Sequence, residues 1–143
     1  MRINTKCSIA LHCILFIAIY ENNLKITSEV LAKSTGCNAV IIRNILSLLQ
    51  KAGIISITRG MGGAHLLKEA CDLTLWDIYR SLEPNGLGHL MGVHPEPSPD
   101  CPVGKNIETI LRKSYAEIEN SVKTAMNNIT LQHLLDQYNT FQY

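Results

Sequence analysis

Apolar positions recur along this chain with a period that changes three times, and each change marks an element. From about Thr5 to Tyr20 apolar residues occupy most sides of a helical repeat, which predicts a helix buried among other elements. A polar break at Glu21-Asn22-Asn23 ends it. In "TSEVLAKSTG", Thr27 or Ser28 can cap a short helix, Glu29 suits its positive end, and Gly36 suits the left-handed residue just past its close. "CNAVIIRNILSLLQKAG" then reads as a longer helix, with Asn38 as N-cap and Gly53 as stop. Its apolar face comprises Ile41, Ile42, Ile45, Leu46, Leu48, Leu49 and Ala52, while Val40, Arg43, Asn44, Ser47 and Lys51 form a stripe on the opposite side.

Beyond Gly53 the period shortens. Ile54 to Thr58 and Ala64 to Leu67 are strand-like runs joined by Arg59-Gly60-Met61-Gly62-Gly63, a hairpin whose glycines permit positive φ and close backbone approach. Helical spacing returns in "TLWDIYRSL", where Thr74 and Asp77 have capping-box spacing and Leu75, Ile78 and Leu82 face inward; Trp76 reads as a core or interface anchor. Pro84 to Pro99 holds four of the five prolines and is expected to be an irregular loop. From Val103 to about Asn128 a long helix carries Ile107, Leu111, Ser114, Ile118, Val122, Ala125 and Ile129 at steps of four and three, the spacing of a coiled-coil seam.

Short helix, glycine turn, longer helix and hairpin together make a winged helix-turn-helix. The expected architecture is mainly α with one small β-hairpin: a winged helix-turn-helix domain over 1–83, an irregular loop over 84–102, and a dimerisation helix with a short C-terminal helix over 103–143. The seam is longer than one small domain covers, so Ile107, Leu111, Ile118 and Val122 are the expected dimer contacts.

The polar stripe suits base-edge readout in a DNA major groove. Arg43 can donate two hydrogen bonds to guanine, Asn44 can pair with adenine, and Ala39 or Val40 can touch a thymine methyl. Arg59 at the hairpin tip can enter a narrow minor groove or meet a phosphate. Charge agrees with this placement: up to Leu66 there are seven Lys or Arg against two Glu, and after it six against ten acidic residues. The basic half is therefore the expected nucleic-acid face, and the acidic half is remote from it.

Other chemistries fit poorly. "GMGGAH" has His65 where a dinucleotide fingerprint needs its third glycine, a strand-like run follows it, and no Gly-Lys-Ser/Thr occurs. Catalysis would rest on Cys101 with Asp100 and a distant histidine, so an enzyme is not expected. The five cysteines form no C-x-x-C pair and are odd in number, against a zinc ribbon or a secreted disulfide framework. Cys7 and Cys13 lie about 9 Å apart along one helix axis and cannot bridge each other. Ile9 to Tyr20 contains His12, lacks a small-residue cleavage pattern and falls short of the roughly 20 residues that cross a bilayer. A cytoplasmic protein without membrane attachment is expected.

The run "NAVIIRNILSLLQKAGIISITRGMGGAHLL", followed by "DLTLWDIYRSLEP", resembles the Rrf-type, IscR-like bacterial winged-helix transcription regulators. The combination of Lys51-Ala52-Gly53 with Arg59-Gly60-Met61-Gly62-Gly63 is specific to it, and a weaker likeness extends through "DCPVGKNI" to "TLQHLL". The resemblance implies a dimeric DNA-binding repressor or activator with contacts from Asn38 to Asn44 and from Arg59 through Gly60 and Met61 to Gly62. Thr27 and Ser28, opening the preceding helix, complete the candidate DNA-binding set. Where many members have an aromatic residue and a serine after Gly-Gly, this chain has Ala64-His65. Cluster-binding members carry three cysteines before the long helix; here only Cys101 is present, with His89 and His94 nearby, so no iron–sulfur cofactor or other metal is expected.

Members also place sensing cysteines where Cys101 stands. Pro102 suits the first helical position, leaving Cys101 at the N-cap, where the helix dipole favours a thiolate and Asp100 opposes one. Cys101 is thus a candidate redox-sensing thiol, with Cys13 as a candidate partner across the dimer. The resulting expectation is a homodimeric, sequence-specific repressor on a near-palindromic operator, thiol-redox responsive. A ligand-responsive regulator or a winged helix used for protein contacts are the alternatives.

Overall fold

In the computed structural model, which describes residues 4–60, 62–88 and 90–141, six helices and one antiparallel hairpin follow each other in the expected order. Helix α1 spans Lys6–Tyr20, α2 Ser28–Thr35 and α3 Ala39–Lys51; strands β1 and β2 cover Ile55–Thr58 and Gly63–Leu66. Helix α4 runs Leu75–Leu82, α5 Pro102–Asn127 and α6 Leu131–Asn139, with a single 3-10 turn at Ala70–Asp72.

Local chemistry accounts for most boundaries. The Val30 N–H donates to Thr27 Oγ1 at the start of α2, and Gly36 closes that helix at φ +73°. Asn38 Oδ1 accepts from the Val40 N–H at 2.7 Å to open α3, and Gly53 turns the chain out of it at φ +74°. At α4 both halves of the capping box form, with Asp77 N–H on Thr74 Oγ1 and Thr74 N–H on the Asp77 carboxylate. Helix α5 opens with Cys101 as N-cap and Pro102 inside its first turn.

The core lies between α1, α2, α3, α4 and the wing. Ile14, Ile17, Leu31, Ile42, Ile45, Leu49, Ile54, Ile55 and Ile78 are fully buried there. Tyr79 joins this side of α4 and donates its hydroxyl to the Gly86 carbonyl, while Leu75 is half-buried. Two expectations about burial change. Helix α1 fully buries only the face of Ala10, Cys13, Ile14 and Ile17; Leu11, Leu15, Phe16 and Ile19 line an open groove, and Cys7, Ile9 and Ala18 are half-buried at the edge of the core. On α3, Ile41 and Ala52 are exposed, because they flank the buried row and nothing packs over them.

The hairpin pairs Ile55 with Leu66 through Thr58 with Gly63. A third short segment joins it: Ile26 bridges Gly63, and the Ala64 N–H donates to the Ile26 carbonyl at 3.0 Å. The glycines divide the work. Gly60 and Gly63 have φ of +91° and +71°, whereas Gly62 does not adopt positive φ. A Cβ on Gly63 would stand 2.5 Å from the Ile26 carbonyl oxygen, so this glycine lets two backbones meet. Glu21 fastens the same hairpin to the end of α1 by accepting the Leu66 N–H at 2.8 Å.

Helix α6 packs back on the core. Leu131 is fully buried in the winged-helix core, Leu131 N–H donates to the Leu73 carbonyl, and Leu75 N–H donates to that of Ile129. The C-terminal helix therefore packs on the winged-helix domain, where the Thr74–Thr130 bridge returns the chain to it. Only α5 projects, with none of its residues buried.

Candidate nucleic-acid interface

Helix α3 is positioned by its buried row Ile42, Ile45, Leu46 and Leu49, which turns the opposite stripe to the surface. Val40, Arg43, Asn44, Ser47 and Lys51 are all exposed, and Ala39 is half-buried in the first turn. Val40 is 55% exposed, an apolar contact surface on the first turn of the helix. Ile41 beside it is an exposed apolar side chain that sequence periodicity assigned to the core; its place between the buried row and the stripe was the available signal.

The structure brings the two helices of the helix-turn-helix together at Arg43. Its Nε donates to Ser28 Oγ at 3.4 Å, and its Nη2 lies 4.0 Å from Glu29 Oε1. Ser28 Oγ in turn donates to Glu29 Oε2 at 3.3 Å. The Glu29 carboxyl is held below its usual range, first by its own backbone N–H, which outweighs an opposing desolvation effect, and then by the Ser28 and Thr27 hydroxyls and, least of all, the Arg43 guanidinium. Asn38 and Thr27 spend an oxygen each on helix caps. Asn38 keeps its amide donors for an outside acceptor.

A cleft of about 350 Å³ separates this cluster from the wing, lined by Thr27, Ser28, Arg43, Ser47, Gln50 and Thr58. On its far side Arg59 and Gly60 are exposed at the hairpin tip, and Arg59 has no acidic partner among the described residues. Gly62 is at the tip but packs near Thr58 and His65, and Met61 lies outside the described residues. Recognition helix, helix start and wing thus present cations and hydrogen-bonding groups on one side of the fold.

The cysteines are dispersed. Cys101 is exposed, and the backbone N–H groups of Gly104 and Val103 hold its thiol below the usual value, resolving the competition with Asp100 toward the thiolate. Cys13 is fully buried beneath α1, with its thiol pushed up to about 12 by desolvation and then by Cys37. Burial inside the core removes Cys13 from the candidate redox pair, since it cannot meet a cysteine of another chain without opening the domain. Among the described residues no group of three or more His, Cys, Asp or Glu could hold a metal ion. Cys101 is the one cysteine between residues 84 and 102, whereas an iron–sulfur cluster is usually held by several thiolates; His89 lies outside the described residues. Among the described residues no helix is long and apolar enough to cross a membrane.

The α5 seam is open along its length. Ile107, Leu111 and Val122 are half-buried, Ile118 is 43% exposed, and Val103 and Ile110 beside them are more exposed still. At about 1.5 Å per residue its 26 residues extend roughly 39 Å.

Comparison with known proteins agrees with this geometry. The profile of a family described as Rrf2, iron-dependent transcriptional regulator, matches residues 3–137. YwnA of Bacillus subtilis, named as an HTH-type transcriptional regulator, is 31% identical over 134 residues, covering 94% of this chain and 97% of that protein. A crystal structure titled as a transcriptional regulator from Lactobacillus plantarum superposes with a TM-score of 0.79 at 28% identity, covering 96% of this chain and 91% of the other. T. potens IscR shares the fold, with a TM-score of 0.74 at 20% identity over 100% of this chain and 92% of its own.

Proposed function

Because the chain belongs to the Rrf2 family of transcriptional regulators, which are not enzymes, we propose that it represses transcription as a homodimer on a near-palindromic operator. The exposed stripe of α3 enters the major groove, where Arg43, Asn44 and Val40 meet base edges. Asn38, Thr27 and Ser28 meet the flanking backbone, and Arg59 with Gly60 to Gly62 reaches the adjacent minor groove or a phosphate. The observation that carries this reading is the shared orientation of the α3 stripe, the start of α2 and the wing around one cleft.

Two copies pair through α5, whose apolar row at Ile107, Leu111, Ile118 and Val122 is at most half-buried within its own chain. Pairing places two recognition helices at the fixed separation that inverted half-sites require. The protein acts in the cytoplasm without a membrane or an iron–sulfur cluster, and oxidation of Cys101 by peroxide, at the start of the dimer helix, alters its DNA affinity. A second reading, control by a small ligand, is favoured by the groove of about 580 Å³ lined by Leu11, His12, Leu15, Phe16, Leu134 and Tyr138.

Selection from random duplexes with the purified protein tests the proposal. It should enrich paired inverted half-sites whose binding weakens steeply with salt. No enrichment, with salt-independent binding, would instead indicate a winged helix used for protein contacts.

A further inference from the structure

We propose that Glu29 is a positioning residue for Arg43 and a brake on indiscriminate DNA binding; this rests on the reading of Arg43 as a base reader. Arg43 reaches the start of α2 from the recognition helix, and its guanidinium is engaged along one edge only. Nε faces Ser28 Oγ at 3.4 Å and Nη2 faces Glu29 Oε1 at 4.0 Å. Ser28 and Glu29 are themselves joined at 3.3 Å, so the three side chains form one closed set. Engagement of that edge leaves Nη1 with no protein partner among the described residues, and the second hydrogen of Nη2, on the far side from Glu29, unspent. The Nη1–Nη2 end is a fork of two parallel donors, the geometry that guanine accepts at N7 and O6.

Arginine carries much rotamer freedom, and a guanidinium free to swing would pair with whichever phosphate lay nearest. A carboxylate beside it narrows that freedom. Glu29 also stands where the start of α2 offers backbone N–H groups and a partial positive charge, a ready site for a DNA phosphate. Its negative charge opposes phosphates at any sequence equally. The same residue therefore weakens sequence-independent attraction and holds the reading group in place, which raises the ratio of specific to non-specific binding by two routes.

The test uses the full-length dimer and three duplexes: one selected in vitro by the parent, the same duplex altered at the base pair whose preference Arg43→Ala relaxes, and a scrambled duplex. Affinities are measured by fluorescence anisotropy for the parent, Glu29→Gln, Arg43→Ala and the double variant. Glu29→Gln should tighten binding to the scrambled duplex and lower discrimination at the Arg43 base pair by roughly twofold to fivefold, the range open to an exposed ion pair. In the Arg43→Ala background it should leave that discrimination unchanged while still tightening binding to the scrambled duplex. An unchanged ratio in Glu29→Gln, or an equal loss with and without Arg43, would overturn the inference. If Arg43→Ala itself relaxes no base pair, base readout by Arg43 fails and the inference falls with it, a result visible in that single variant.

Discussion

Replacing Gly63 with alanine should be the most damaging single change in the wing. Its φ of +71° lies in the left-handed region, which costs an L-residue about 1–2 kcal/mol. The added Cβ would also stand 2.5 Å from the Ile26 carbonyl oxygen and 2.7 Å from its nitrogen, both backbone atoms that cannot rotate away. Relieving this contact separates the two segments and breaks the 3.0 Å bond from Ala64 N–H to Ile26, worth about 1 kcal/mol. The sum is about 2–3 kcal/mol of unfolding free energy. Gly60→Ala is the control for backbone strain, because its φ is +91° with nothing within 4 Å of the new Cβ; about 1–2 kcal/mol is expected. Gly62→Ala meets His65 Nε2 at 3.2 Å, which can swing away, and Thr58 Cβ at 3.0 Å, which is fixed to the backbone but needs only a few tenths of an ångström of relief; with no positive φ to strain, it should cost about 1 kcal/mol, less than Gly63→Ala. Urea denaturation followed by circular dichroism at one fixed protein concentration gives the three values. If Gly63→Ala cost no more than Gly60→Ala, the close approach of Ile26 would not hold the wing.

Three further outcomes are expected. Leu111→Glu with Ile118→Glu should yield monomers in light scattering and a large loss of operator affinity, whereas an unchanged dimer would move the interface off α5. Iodoacetamide at neutral pH should label Cys101 in the native protein and Cys13 only after unfolding, and Cys101→Ser should bind DNA normally but ignore peroxide; equal labelling of the two, read by mass spectrometry, would contradict their placement. The Cys13 thiol, raised to about 12 from an unfolded value near 9, contributes stability that is fully present below pH 9 and declines from pH 9 toward 12. Its share should appear as a fall in the urea midpoint over that window that is smaller in Cys13→Ala.

Features set by short-range chemistry were legible in the sequence. Asn38, Thr74 with Asp77, Gly36, Gly53 and Pro102 each act on backbone groups within a few residues, so spacing alone locates the ends of α2, α3, α4 and α5. Burial depends on what arrives from elsewhere, and there the pattern fell short. Ile41 matches the apolar face of α3 by composition, yet nothing covers it. Helix α1 is apolar on nearly all sides, but only one of its faces is fully buried. The docking of α6 turns on the Thr74–Thr130 bridge between segments 56 residues apart. In the same way the stripe of α3 was visible as a repeat, whereas the link from Arg43 to Ser28 and Glu29 joins two helices and has no signature in either one. Three glycines at the wing looked equivalent; the partner segment at Ile26 is what singles out Gly63.

The central claim, that α3 and the wing read DNA together, is met most directly by titrating Arg43→Ala and Arg59→Ala against the selected operator and every single-base-pair variant of it, at several salt concentrations. Arg43→Ala should lose roughly 1–3 kcal/mol and relax preference at one base pair in each half-site. Arg59→Ala should weaken binding with base preference under α3 intact, and with a shallower salt dependence if it meets a phosphate. Full affinity and unchanged base preference in both variants would contradict the account.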